Sequence, residues 1–86
     1  MEQTDRKALL NRLNRAEGQV RALREALQAD EVTDCAAFMN QIKAARSALK
    51  HASEQYVLLH LHQCEALPKA KRDEQVAAAI KILASD

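Results

Sequence analysis

Three side chains in this 86-residue chain can hold a soft ion or react as thiols: Cys35, His60 and Cys64. His60 and Cys64 stand four apart, so on a helix they share a face and can reach one ion together. That spacing alone is a weak signal, because cysteine and partly buried histidine are common on helices. Cys35 strengthens it. At about 100° per residue, Cys35, His60 and Cys64 fall within about 40° of one azimuth, while His51 and His62 point roughly the opposite way and read as surface residues. Yet Cys35 and Cys64 lie 29 positions apart, and on one straight helix that is about 43 Å. They cannot meet within one chain. If the three act together, a second copy of the helix must run antiparallel, bringing its Cys35 beside the first copy's His60 and Cys64. The two-fold axis would pass near Ser47, Ala48 and Leu49, where small residues (Ala44, Ala45, Ser47, Ala48) let helices approach closely. Two thiolates and an imidazole make a three-coordinate set. Soft ligands select Cu(I) or Zn(II), and Zn(II) normally takes a fourth ligand. No other nucleophile–base pair or acid pair is visible, so an enzyme is not expected.

The element that must carry these residues runs through the stretch Val32–Leu67, which has no Gly and no Pro. Its apolar residues Phe38, Ile42, Ala45, Leu49, Ala52, Tyr56 and Leu59 alternate by four and three, which is a helical seam. Thr33 or Asp34 caps its start, and Pro68 marks its end by pushing the preceding residue out of helical geometry. Before it, a first helix opens near Thr4 or Asp5 with the seam Leu9, Leu13, Ala16, Val20, Leu23, Leu27, and ends around Ala29–Glu31. Gly18 lies inside that helix at a cost of about 1 kcal/mol relative to Ala, most simply for a close packing contact. After Lys69-Ala70-Lys71-Arg72, a short third helix is expected over about Asp73 to Ala84, with Val76, Ala77, Ile80 and Leu83 on one face.

Composition limits the rest. One Gly and one Pro leave almost no turn chemistry for hairpins, so the fold class is all-α, in one small domain spanning residues 1–86. Hydrophobic residues make up 48% but aromatics only 2%, which suits thin helix–helix seams and favours oligomers over a globular core. No run of about 18 apolar residues and no signal-peptide pattern appears, so a cytoplasmic location without membrane contact is expected. In that compartment two cysteines are more often reactive or ligating than bridged. Net charge is only +1, but its distribution is uneven. Arg6, Lys7, Arg12, Arg15, Arg21 and Arg24 face one acid, Glu17, in the first helix. Lys43, Arg46 and Lys50 form a stripe in a stretch without acids. Such clusters on a near-neutral protein point to a polyanion, against the plainer reading of a solvated face. With so few aromatics to stack bases, the expected polyanion is duplex DNA read through backbone and shape.

At this point the residues match a known family. The run Arg12-Leu-Asn-Arg15-Ala-Glu-Gly18-Gln19-Val-Arg21, Cys35 opening the second helix, Gln41-Ile42 with small residues behind it, and His60-Leu-His-Gln-Cys64 together resemble the copper-sensitive operon repressor (CsoR) family. That family includes nickel/cobalt-sensing (RcnR) and formaldehyde-sensing (FrmR) relatives. The resemblance covers nearly the whole chain. It implies a three-helix protomer, an antiparallel dimer and a disc-shaped homotetramer that binds double-stranded operator DNA without a helix-turn-helix. It also implies an inducer site shared between protomers, with Cys35 of one against His60 and Cys64 of the other, whose filling lowers DNA affinity.

Branch residues refine the expectation. Cys35, His60 and Cys64 match the copper set. Gln3 stands where nickel/cobalt sensors carry an N-terminal His, and Cys64 where they carry another. Glu2 replaces the Pro of the formaldehyde branch, while the persulfide branch uses two cysteines at the positions of Cys35 and Cys64 and usually lacks the His. Copper members tend to carry a Tyr before the first Cys and a Glu in the third helix; here Asp34 precedes Cys35, and the third helix has only Asp73 and Glu74, at its start. The expected function is a DNA-binding repressor induced by Cu(I) at Cys35, His60 and Cys64, with Arg12, Arg15, Arg21, Lys43, Arg46 and Lys50 on the DNA side. The alternatives are a persulfide- or polysulfide-sensing repressor of the same family, or a helical metal-binding scaffold without a DNA role.

Overall fold

The computed structural model describes residues 1–85; the side chain of Cys64 also lies outside the described residues. The fold is all-α: α1 spans Gln3–Gln28, α2 spans Cys35–Cys64 and α3 spans Lys69–Ala84, with no strand among the described residues. α1 packs along α2, and α3 packs against α2. The short link between α1 and α2 folds them back on each other as a helical hairpin.

The connections show how the chain makes turns with almost no glycine. α1 ends in a Schellman motif: Glu31 N–H donates to Ala26 O at 3.0 Å and Asp30 N–H to Leu27 O at 3.1 Å. The left-handed position that usually takes Gly is filled by Asp30, at φ 54°; Asp is one of the few L-residues that visits this region singly. Asp34, rather than Thr33, then caps α2, its Oδ1 accepting from Ala37 N–H at 3.1 Å. α1 starts earlier than Thr4 or Asp5: Glu2 is its N-cap without a side-chain bond, and Asp5 sits in the first turn, where a carboxylate favours the positive helix end.

The start of α3 corrects the sequence expectation. The helix begins at Lys69, immediately after Pro68 as N-cap, not at Asp73. Arg72 N–H already donates to Pro68 O at 2.9 Å. The fixed φ of proline suits a helix entry, and its missing N–H is no loss there. Lys69, Lys71 and Arg72 disguised this in the sequence, since cations are unfavourable in a first turn.

The helices meet through small residues. Only Ala16, Ala45 and Ala52 are buried among the described residues. Each lies in one of the expected seams, but the larger seam residues flank the contact: Leu13, Val20, Ile42, Leu49, Tyr56 and Leu83 are each 40–50% exposed. Alanine lets two helix axes come close, and a single close line cannot also cover Leu and Ile on its shoulders. The result is a slab of 55 × 28 × 15 Å with a radius of gyration of 17.0 Å. A compact chain of this length has a radius of about 12 Å and an accessible surface of about 5,100 Å², against the 6943 Å² seen here. Gly18 does not serve packing within the protomer, because a Cβ there meets only Arg21 Nη2, at 3.8 Å.

Candidate functional site

α2 carries the candidate ligands at its two ends. Cys35 is its first residue, exposed and with a free thiol. His60 lies 25 positions on, about 37 Å away along the helix axis. Cys64 is the last residue of α2, and its thiol lies outside the described residues. One protomer therefore does not bring Cys35 to His60. Among the described residues no group of three His, Cys, Asp or Glu could hold a metal ion.

His60 is the most constrained of the set. It is partly buried, and two neighbours hold its ring. Tyr56, one turn earlier, stacks on it with centroids 5.8 Å apart and planes 13° from parallel. From α3, Gln75 Oε1 lies 3.2 Å from His60 Nε2. An amide oxygen only accepts, so Nε2 carries the proton and donates. The other two histidines differ. His51 is exposed, and His62 lies on the surface 3.8 Å from Glu65, as their azimuths implied. The i, i−4 spacing of Tyr56 was a readable signal for the stack. Nothing local marked Gln75, because its contact depends on how α3 folds back.

The donor set suits a soft ion: a free thiol at one end of α2, and an imidazole and a second cysteine at the other. These could converge only between two copies.

All six candidate DNA residues (Arg12, Arg15, Arg21, Lys43, Arg46, Lys50) are exposed. Among the described residues none of them has an ion-pair partner. Lys43, Arg46 and Lys50 follow i, i+3, i+7 spacing and so form one stripe on α2. Arg46 and Lys50 also border a groove of about 600 Å³ between α2 and α3, floored by Leu49, Tyr56, Val57 and Leu83.

The fold and this arrangement define a class: an all-helical chain with a cationic surface and with thiol and imidazole donors at the ends of a long helix. Residues 5–85 match the profile of a family described as metal-sensitive transcriptional repressors. The chain is 34% identical over 83 residues to the transcriptional repressor RcnR of Salmonella typhimurium strain LT2, covering 94% of this chain and 90% of the relative. It is 35% identical over 86 residues to RcnR of Escherichia coli O9:H4, and 32% over 83 residues to RcnR of Citrobacter koseri, with the same coverage. No solved structure gives a significant match. The protein belongs to the metal-sensitive transcriptional repressor family. Among the described residues, no helix is long and apolar enough to cross a membrane.

Proposed function

We propose that this protein is a repressor of double-stranded operator DNA, released by Cu(I) bound between protomers at Cys35, His60 and Cys64. The observation that carries this reading is the placement of the donors at opposite ends of α2, with His60 already held in one orientation. An antiparallel pair of α2 helices would create two equivalent sites. The protomer's excess surface, roughly 1,900 Å² over a compact chain of its mass, is of the size that obligate assemblies bury. The buried Gln55 Oε1, without a partner among the described residues, fits a donor from a second copy. A homodimer, and a homotetramer from two dimers, follow from this reading.

The relatives bear the RcnR name, which the family resemblance ties to nickel and cobalt. This chain's own residues favour a softer ion, because Gln3 and Cys64 replace the extra nitrogen donors of that branch. Thiolates prefer Cu(I). The unpaired basic residues on α1 and α2 support phosphate contacts, where each Arg fork matches two oxygens. Linkage supplies the mechanism: an ion that binds the DNA-free form better must weaken DNA binding by the same factor.

A second reading keeps the repressor and replaces the ion with a persulfide. It is favoured by the free, exposed thiol of Cys35, and its product would be a covalent link from Cys35 to Cys64 of another protomer. The test is anaerobic titration of the protein–operator complex with Cu(I), beside a polysulfide arm. Release by Cu(I) is the expected result. Release by polysulfide alone would replace copper with the thiol reading, and failure to bind the upstream DNA at all would sink the repressor reading for this chain.

A further inference from the structure

We infer that Gln75, in the second turn of α3, is a positioning residue: it fixes which nitrogen of His60 is offered to the inducer and carries the state of that site into α3. The inference rests on the reading of His60 as an inducer ligand. Its foundation is the 3.2 Å contact between His60 Nε2 and Gln75 Oε1. Among the described residues the other side-chain hydrogen bonds stay within one helix or its cap, whereas this one joins two helices.

The amide oxygen decides the tautomer. A neutral imidazole that donates from Nε2 keeps its lone pair on Nδ1. Nδ1 is then the ligating nitrogen, and the Tyr56 stack limits rotation that would exchange the two. A ligand histidine is commonly oriented in this way by the bond its other nitrogen makes.

The same bond makes α3 responsive. α3 has no buried residue, and Val76 and Ala79 are among its few partly buried ones, so packing holds it weakly against α2. A cation on Nδ1 would make Nε2–H a charge-assisted donor, and such bonds are roughly twice as strong as neutral ones. Ion binding would thus tighten α3 onto the end of α2. A covalent link between Cys35 and Cys64 leaves the imidazole as it was and does not strengthen the bond. Gln75 would therefore favour a response to an ion over a response to a thiol oxidant.

The experiment uses the full chain labelled with 15N-histidine, free of metal and DNA, at a pH where the rings are neutral; His60→Ala assigns the signals. Wild type should show the Nε2–H tautomer at His60, and Gln75→Leu should convert it to a mixture. Gln75→Glu, which keeps an acceptor at the same reach, should retain it. A wild-type Nδ1–H tautomer, or an unchanged ring in Gln75→Leu, overturns the positioning role. The second arm compares operator affinity with and without Cu(I). In Gln75→Leu that ratio should fall about tenfold while metal-free DNA affinity stays within about twofold of wild type. An unchanged ratio overturns the coupling role, and parallel losses of metal-free DNA affinity and thermal stability would mark Gln75 as merely structural. If Cu(I) fails to release wild type, the inducer reading falls and the coupling falls with it; the 15N signals still decide whether Gln75 sets the ring.

Discussion

At the scale of single residues, charge and ligand chemistry make separable claims. Arg15 is exposed and without an ion-pair partner among the described residues, so removing it should cost the fold little. Arg15→Ala is expected to weaken binding to all duplexes alike and to lower the slope of log affinity against log salt by about one unit. Gel shifts at several salt concentrations check this, and an unchanged slope removes Arg15 from the interface. His60→Ala separates the inducers. It should abolish Cu(I)-driven release, since it removes a proposed ligand and leaves two thiols, but it should leave polysulfide-driven release in place. Release by Cu(I) from His60→Ala at wild-type concentrations would exclude the imidazole from the site. The separation of the donors was legible in the sequence, because Cys35 and His60 sit on one gap-free helix whose length follows from residue count. The ring's surroundings were not. Tyr56 reads first as a seam residue, and Gln75 carries no motif; its contact exists only because the turn at Leu67-Pro68 returns α3 to the end of α2.

Elements were legible where caps and seams agree, and less so where a helix starts against its own charge preference. The cap at Asp34 and the seams of α1 and α2 follow from local chemistry. Asp34→Ala should therefore lower stability by about 1 kcal/mol, with loss of the Ala37 bond, measured by urea unfolding. The other end of the link offers a gain. Asp30 holds a left-handed φ of 54°, which costs an L-residue roughly 1–2 kcal/mol. Gly also loses more freedom on folding, so Asp30→Gly should stabilise by about 0.5–1 kcal/mol net; a loss would mean the Asp30 side chain holds the turn. Gly18 poses the reverse question. Its neighbourhood within the protomer has room for a methyl group, so Gly18→Ala should gain about 0.5–1 kcal/mol in helix propensity. A loss would reveal a second copy pressed against that position, which is how the sequence reading of a close contact could still hold between chains.

At the scale of the whole molecule, the protomer is a surface in search of a partner. Fourteen large hydrophobics are substantially exposed among the described residues, and full burial of one such side chain contributes about 1.5–3 kcal/mol. The melting midpoint should consequently rise with protein concentration. Leu49→Glu, close to the expected two-fold axis, should shift sedimentation towards monomer and weaken operator binding with it. The sequence could announce this need through its scarcity of aromatics and its alanine-lined seams, but which face meets which depends on contacts between chains. Subunit mixing tests the pairing directly. Cys35→Ser and Cys64→Ser chains are each expected to bind Cu(I) poorly, because every site in either homodimer lacks one thiol. Unfolded together and refolded, they should form mixed dimers in which one site combines Cys35 from the Cys64→Ser chain with His60 and Cys64 from the Cys35→Ser chain. The other site in that dimer lacks both thiols. Tight Cu(I) binding at one ion per mixed dimer is therefore expected, measured by anaerobic competition with a Cu(I) chelator. If mixing restores no binding although mass spectrometry shows mixed dimers, the two cysteines do not share a site across protomers, and the antiparallel pairing of α2 is wrong.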